Sequence, residues 1–542
     1  MSVADLLSNR LGCGGRTAWL DKGDPEQARA WLMDARYVEA DGRMGAIASG
    51  SPHATEVGLN MLRKGGNAAD AAAAAAFALM VVDPPNASPA GRGHILWARE
   101  GMEPEAIDGA TKAPSNLPFG FGGLPDKRAL PIPGIVRATL RLHARAGRLT
   151  VAQIATPARD LAERGFEVSE ELARIWEWRA REITDPDAER VYLPNGKPVA
   201  AGEVFRNPGL AVYFRNLIET GQDPFADLEF AEGFCQRIAL KGGCWTPQEL
   251  SSAEPLMGET VSIDGPNWRL TSIGRQGWGH TLLRIVSLVA SAKPHHDCEA
   301  EIAHLLAILC AFEERPEELR SLKPKTNPEQ WEVLRNRLRE PFSESWATTR
   351  YLSDAVQRAQ MPDLTEERDT THLSVVDADG MRVALTQSIG PHFGARVADS
   401  DTGILLAHSY RMAEDPTPGA RDVTEQCPCF LNIGDDAYAL GGAGSERIPG
   451  AVAAVIRHVL DGKGLDYALA APRSNWIGAT ARLHVDVPAG LEDRLTAAGV
   501  EVNFTGRGPV DHLGIVQAVC RRGDGRTAAG ADPAYAGRAS AE

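Results

Sequence analysis

Asp369-Thr370-Thr371-His372-Leu373-Ser374-Val375-Val376-Asp377-Ala378-Asp379-Gly380-Met381-Arg382-Val383-Ala384-Leu385-Thr386-Gln387-Ser388 is the stretch on which the reading of this chain turns. Thr371 to Val376 and Met381 to Ser388 are β-rich runs, and Asp377-Ala378-Asp379-Gly380 between them ends in the Asp-Gly of a hairpin turn. Thr370 stands at the start of the first run. A hydroxyl is a weak nucleophile until a base takes its proton. One solution is a threonine whose own α-amine, freed by cutting the chain ahead of it, supplies that base. Such a threonine belongs at a strand start, where the new amine and Oγ lie together. Taken alone, a Thr-Thr pair before a strand also reads as plain β-propensity.

Upstream of this hairpin the texture is helical. Gly45-Ala46-Ile47-Ala48-Ser49 predicts a short buried strand. Ser51-Pro52 supplies an N-cap and first-turn proline for a helix over His53–Lys64, closed by Gly65-Gly66. A second helix runs from Ala68 to Val82, its Ala-rich face suited to close burial, and Asp83-Pro84-Pro85 stops it. Val136 to Gly165 predicts two amphipathic helices, with further helices over Leu172–Arg181, Pro208–Thr220, His304–Phe312 and Pro328–Arg339. Downstream, glycine-rich loops lead to Leu440–Ser445, a helix over Pro449–Leu460 and a strand over Ala481–Val487; residues after Asp524 are small and polar and expected to be frayed. Residues 1–44 are polar and aperiodic and read as an N-terminal extension.

Composition sets outer bounds. The 542 residues are 43% hydrophobic and 24% charged, enough to bury a substantial core. Lys plus Arg number 57 against 72 Asp plus Glu, a formal charge of -15, and such an acid surplus repels phosphate backbones, so nucleic acid is not an expected partner. The longest apolar stretch, Ala71 to Val82, is mostly Ala and shorter than the ~20 residues a membrane span needs. The opening MSVADLLSNRLGCGGRTAWL has no basic flank leading into an apolar core, so the expected location is cytoplasmic. Eight scattered cysteines form no disulfide framework. His295-His296-Asp297-Cys298 are four adjacent residues without a partner cluster, a polar loop rather than a metal site. Neither metal nor cofactor is expected.

Gly441-Gly442-Ala443-Gly444-Ser445, followed by a helix, is a second constellation. A glycine-rich turn lets backbone N–H groups approach an oxyanion, as acyl transfer requires, though it is also what any tight turn looks like. No GKS or GKT follows, so it is not a phosphate loop.

Gly45–Ser49, His53-Ala54-Thr55-Glu56-Val57-Gly58 and Lys64-Gly65-Gly66-Asn67-Ala68-Ala69-Asp70-Ala71-Ala72 together resemble the opening of the γ-glutamyltransferase family. Ile132-Pro133-Gly134-Ile135-Val136 and Asn207-Pro208-Gly209-Leu210-Ala211 resemble later parts of its large subunit, and Thr370-Thr371-His372-Leu373-Ser374-Val375-Val376-Asp377 the start of its small subunit. Thr402-Gly403-Ile404-Leu405-Leu406 and Ala471-Pro472-Arg473 continue the series in family order. The resemblance implies an α+β fold, the four-layer αββα sandwich of the N-terminal-nucleophile hydrolases. It implies a precursor that cuts itself between Asp369 and Thr370 into a large region (45–369) and a small one (370–542) that stay together as a heterodimer. Thr370 would be the nucleophile, Ser388 the hydroxyl beside it, and the backbone N–H groups of Gly444 and Ser445 the oxyanion hole, with Ser in a place the family gives to Gly.

The departures concern the substrate. The family holds the glutamate α-carboxylate with an Arg where this chain has Ala110, and the α-amine with an acid from a run replaced here by Ala407-His408-Ser409-Tyr410-Arg411-Met412. Its Ser-Ser pair falls near Thr424-Glu425, and an Asn of the nucleophile pocket near Gly390. Each lost charged contact forfeits about 2–4 kcal/mol if its partner charge is left buried. The expected substrate is therefore a small acyl amide other than an ordinary γ-glutamyl compound, oxamate-like amides and β-lactam side chains included, with Arg92 and Arg411 as ligands for a carboxylate. The alternatives are a glutathione hydrolase with a rebuilt clamp and an uncleaved, catalytically silent scaffold. Cys427 and Cys429 are expected to line the pocket and not to act as thiolates.

Overall fold

Alternating small and branched residues make two facing sheets, and long apolar helices cover their outer sides. The computed structural model describes residues 36–118, 129–315, 352, 355, 368–414, 416–478, 480–508 and 512–542. The strands of the sandwich are β1 (Tyr37–Ala40), β2 (Gly45–Ser49), β3 (Arg92–Ala98), β4 (Glu105–Gly109), β5 (Leu256–Gly258), β6 (Thr260–Asp264), β7 (Trp268–Ile273), β8 (Arg368–Asp377), β9 (Arg382–Pro391), β10 (Cys429–Ile433), β11 (Asp436–Ala443), β12 (Ile515–Arg521), β13 (Thr527–Ala531) and β14 (Arg538–Ala541). One seven-stranded sheet has the order β1-β13-β12-β11-β10-β7-β6, the other β14-β2-β8-β9-β3-β4-β5. All pairings within both sheets are antiparallel.

The helices α1 (Pro52–Arg63), α2 (Ala68–Val82) and α3 (Ile135–Ala146) pack on the second sheet. Those at α4 (Gly279–Ala292), α5 (Asp297–Glu313) and α6 (Arg447–Leu460) form the layer over the first, α5 packed on α4 and α6. The result is the four-layer αββα sandwich of the N-terminal-nucleophile hydrolases. Each outer layer has its own apolar core. The gap between the sheets is filled largely by alanines, Ala46, Ala48, Ala98, Ala106, Ala384, Ala439, Ala529 and Ala539, around Phe430 and Val519. Small side chains there let the two sheets approach closely.

The local signals hold in detail. Pro52 opens α1 as N1, but Ser51 contributes no side-chain cap. Asn67 caps α2 in a capping box with Asp70, which explains how an alanine-rich helix begins sharply. The Asp377 carboxylate closes the hairpin turn by accepting from Met381 N at 3.0 Å and reaches Ala68 N at 2.9 Å, tying the hairpin to the start of α2. The helices read from Val136 to Gly165 are Ile135–Ala146 and Val151–Arg164, and Pro208–Thr220 is helical as expected. The helix expected over Pro328–Arg339 lies outside the described residues.

One expectation is corrected. The residues after Asp524 are not frayed: β13 and β14 are paired strands, Thr527 to Ala531 are buried, and Met44 N donates to the Glu542 carbonyl at 2.8 Å. Thr-Ala-Ala-Gly-Ala looks weak as a strand by propensity, but only small residues fit the narrow space between the sheets. Residues 37–40, polar enough to read as part of an extension, pair with β13 as an edge strand for the same reason: one side of an edge faces water.

Candidate active site

Thr370 lies in β8 where the ladder to β9 slips. Asp369 is opposite Gly390 and Thr371 opposite Gln387, so Thr370 faces two residues, Ser388 and Ile389. A bulge of this kind bends the strand and re-aims a side chain. Thr370 is the third residue of that strand, after Arg368 and Asp369. Thr370 is 7% exposed and Ser388 3%. Ser388 Oγ accepts from Gly390 N–H at 2.9 Å, and Ser388 pairs on its other side with Arg92 of β3. Thr370, Ser388 and Arg92 are thus brought together on three adjacent strands.

His372 is two residues further along the same face. Its ring nitrogens meet Thr386 Oγ1 and Ser374 Oγ, each at 2.8 Å, and burial pushes it down to about 3, so the ring is neutral. A Cβ on Gly441 of the facing sheet would come within 2.3 Å of that ring. Gly441 is therefore glycine to admit His372, and both are structural.

Past Ala443 the chain leaves β11 in a tight turn. Gly444 has φ 121° and Ser445 φ 56°, both left-handed, and Ser445 is 3% exposed. The Gly444 carbonyl accepts from Arg447 N at 3.1 Å and Arg447 Nε at 2.9 Å, while Arg447 Nη1 donates to the His512 carbonyl at 3.1 Å. Among the described residues, the N–H groups of Gly444 and Ser445 have no acceptor, although both residues are buried. Buried N–H groups are almost always paired, so two consecutive unpaired ones have the character of an anion site. Ala443, just before them, lines a small cavity together with Thr370, Thr371, Gly50, Asn86, Ile515, Gln517 and Tyr535. Thr370 and the last residue before the turn therefore share a cavity between the two sheets.

The residues expected to hold substrate are placed differently from one another. Arg92 is 6% exposed; its Nη1 donates to the His408 carbonyl at 3.0 Å and lies 3.7 Å from Asp422 Oδ2. Asp422 also accepts from Ser409 Oγ at 2.7 Å and from Thr111 Oγ1. Thr424 is buried and shares His94 Nδ1, at 3.2 Å, with Gln426 Oε1 at 2.9 Å; Glu425 beside it is half-buried. His94 Nε2 faces Asp108 Oδ1 at 3.3 Å. Burial alone would raise the Asp108 carboxyl, but the hydrogen bond and charge of His94, with Arg421, hold it well below the usual range. Arg411 belongs to the short helix Tyr410–Glu414, and its side chain lies outside the described residues, as does that of Asp369.

Sequence reasoning passed over Asp422, Asn86 and Tyr535. Asn86 Nδ2 donates to Asp83 Oδ1 at 2.9 Å and to Tyr535 OH at 3.1 Å, walling the cavity beside Thr370. None of the three belongs to a spaced motif, and Asp83-Pro84-Pro85-Asn86 carried only a helix-stop signal. Cys427 and Cys429 are fully buried with pKa values raised by burial, so neither is a thiolate. In His295-His296-Asp297-Cys298, His296 Nδ1 accepts from Glu299 N at 3.3 Å and so caps α5. No helix among the described residues is long and apolar enough to cross a membrane.

Residues 54–542 match the family model described as Gamma-glutamyltranspeptidase. An acylase ACY 1 proenzyme from Pseudomonas sp. (strain SE83) is 29% identical over 515 residues, 85% of this chain and 88% of that one. A glutathione hydrolase proenzyme from Bacillus subtilis (strain 168) is 24% identical over 536 residues, 89% of each chain. The crystal structure of cephalosporin acylase from Bacillus halodurans superposes with a TM-score of 0.78 at 24% identity, over 93% of this chain and 97% of that one, a likeness of fold.

Proposed function

The chain belongs to the gamma-glutamyltranspeptidase family, and from that premise we propose that it is a self-processing threonine amidohydrolase acting on a small, non-glutamyl acyl amide. The observation that carries the reading is a cavity lined both by Thr370, buried and seated in a bulge opposite Ser388 and Ile389, and by Ala443, the residue just before Gly444 and Ser445, whose N–H groups have no acceptor among the described residues. In processing, Thr370 Oγ attacks the Asp369 carbonyl carbon; the C–N bond breaks, the amine takes the hydroxyl proton, and water hydrolyses the resulting ester. The freed α-amine is then the base for Thr370 Oγ. In turnover, Thr370 adds to the substrate carbonyl, the turn N–H groups hold the oxyanion, the amine leaves with the proton, and water releases the acid. Ser388 would orient the nucleophile by hydrogen bonding it.

Substrate choice follows from charge. With Ala110 in the place of the family's arginine, Arg92, paired with Ser388 of β9, is the candidate carboxylate ligand, and it already faces Asp422. A glutamate α-carboxylate would have to compete with that buried partner. Arg92, Arg411, Thr424 and Glu425 stand as the candidate lining for that group.

A denaturing gel tests the mechanism. Wild-type protein is expected to resolve into a larger and a smaller band, the smaller beginning at Thr370, while Thr370→Ala stays whole and inactive. Active protein that stays a single band would overturn the mechanism. A panel of glutathione, oxamate and glutaryl amides tests the substrate; preference for glutathione would overturn that half.

A further inference from the structure

Ser445 is in a backbone conformation that favours glycine, with φ 56°, and its hydroxyl is buried without a hydrogen-bond partner among the described residues. Both features are unfavourable. A non-glycine residue in the left-handed region is strained, and a buried hydroxyl without a partner has lost water and gained nothing. Glycine would remove both costs at once. Features of this kind persist where the site uses them.

The geometry of the turn says where such use lies. The Gly444 carbonyl is held from the α6 side by two donors of Arg447. In a trans peptide the N–H points opposite the carbonyl, so the Ser445 N–H is aimed away from α6. On the other side, a Cβ at Gly444 would stand 3.0 Å from Gly514 Cα and 3.1 Å from His512 Cε1, so the turn cannot relax toward the 512–514 loop. Ser445 is fixed by its neighbours, two residues beyond Ala443, which shares a cavity with Thr370.

We infer that the Ser445 hydroxyl is a third donor to the oxyanion, acting beside the N–H groups of Gly444 and Ser445. The inference rests on the threonine amidohydrolase reading above. When Thr370 Oγ bonds to the acyl carbon, the carbonyl π pair moves to oxygen, and Ser445 donates a hydrogen bond to it while keeping its proton. A hydroxyl can turn toward charge as it develops, which a backbone N–H cannot do. Ser445 is then a catalytic residue through its side chain as well as its backbone.

The test compares Ser445→Gly and Ser445→Ala with wild type, using p-nitrophenyl acetate as an unselective acyl donor and glutaryl-p-nitroanilide as an amide. Nitrophenolate or nitroaniline release gives the rate, and mass spectrometry of the fragment beginning at Thr370 gives acylation. Both variants are expected to self-cleave and to lose about 10–100-fold in kcat, with KM changed less than about threefold. Ser445→Gly is also expected to raise the thermal midpoint by about 2–4 °C, since it removes strain and the unpaired hydroxyl together. A purely structural serine would not give a variant that is both more stable and slower. Ser445→Gly with wild-type kcat overturns the inference while leaving the threonine mechanism standing. Wild-type protein that neither cleaves nor acylates overturns the mechanism and the inference with it.

Discussion

Arg92 and Asp422 form a buried pair at 3.7 Å, and neither charge would be stable alone in that setting. Asp422 has two hydroxyl donors besides, Ser409 and Thr111, whereas Arg92 has the His408 carbonyl. Removing one partner of a buried pair strands the other, a loss of about 3–5 kcal/mol. Asp422→Ala is expected to destabilise the protein by that amount, and Arg92→Met combined with Asp422→Leu to recover most of it, read by urea unfolding. A single variant as stable as wild type would mean that water reaches Arg92 and that the site is more open than its burial implies. Arg92 was legible in the sequence as a candidate ligand for a carboxylate. Its partner was not, because Asp422 is 330 residues away and sits in a polar loop with no period.

Within single elements, burial holds four histidines of the described residues neutral, His484, pushed well below its ordinary value, among them. His304 of α5 is pushed down to about 4 by burial and by Arg457, His458 of α6 to about 3 by the same causes, and His372 of β8 to about 3 by burial. An unfolded histidine titrates near 6.5, so below that pH the unfolded chain binds protons that the folded chain refuses. Stability is therefore lost as pH falls from about 7 toward 4, by up to about 1.4 kcal/mol per pH unit for each such histidine. The urea midpoint is expected to drop steadily over that window, and His458→Gln to make the slope shallower. A midpoint constant between pH 7 and 4.5 would show these rings to be already protonated in the fold. That Gly441 is glycine for the sake of His372 required the facing sheet.

Across the whole molecule, a cut at Asp369–Thr370, inside β8, would divide a chain whose two parts are interleaved in both sheets. The first sheet takes β1, β7 and β6 from residues before the cut and β13, β12, β11 and β10 from residues after it. In the second, β2 lies between β14 and β8, with β9 then joining β3, β4 and β5. Neither fragment holds a complete sheet, so separating them exposes both sheet cores. The cut protein is expected to elute as one species in size exclusion, to give two bands on a denaturing gel and to melt in a single transition. Two well-separated transitions would indicate that the fragments fold independently.

The amino-acid sequence by itself determined the hairpin, most of the helices and the strand-start threonine, because hydrophobic period, turn residues and caps act over a few neighbours. It also carried the family series that names the sandwich. Only the tertiary structure decided that the final residues are sheet, since small side chains gain their value from a narrow gap that distant strands create. Only it set Arg92 against Asp422 and Ser445 in a left-handed turn with no acceptor among the described residues. Such contacts depend on which elements pack together, and packing joins residues that no local pattern connects.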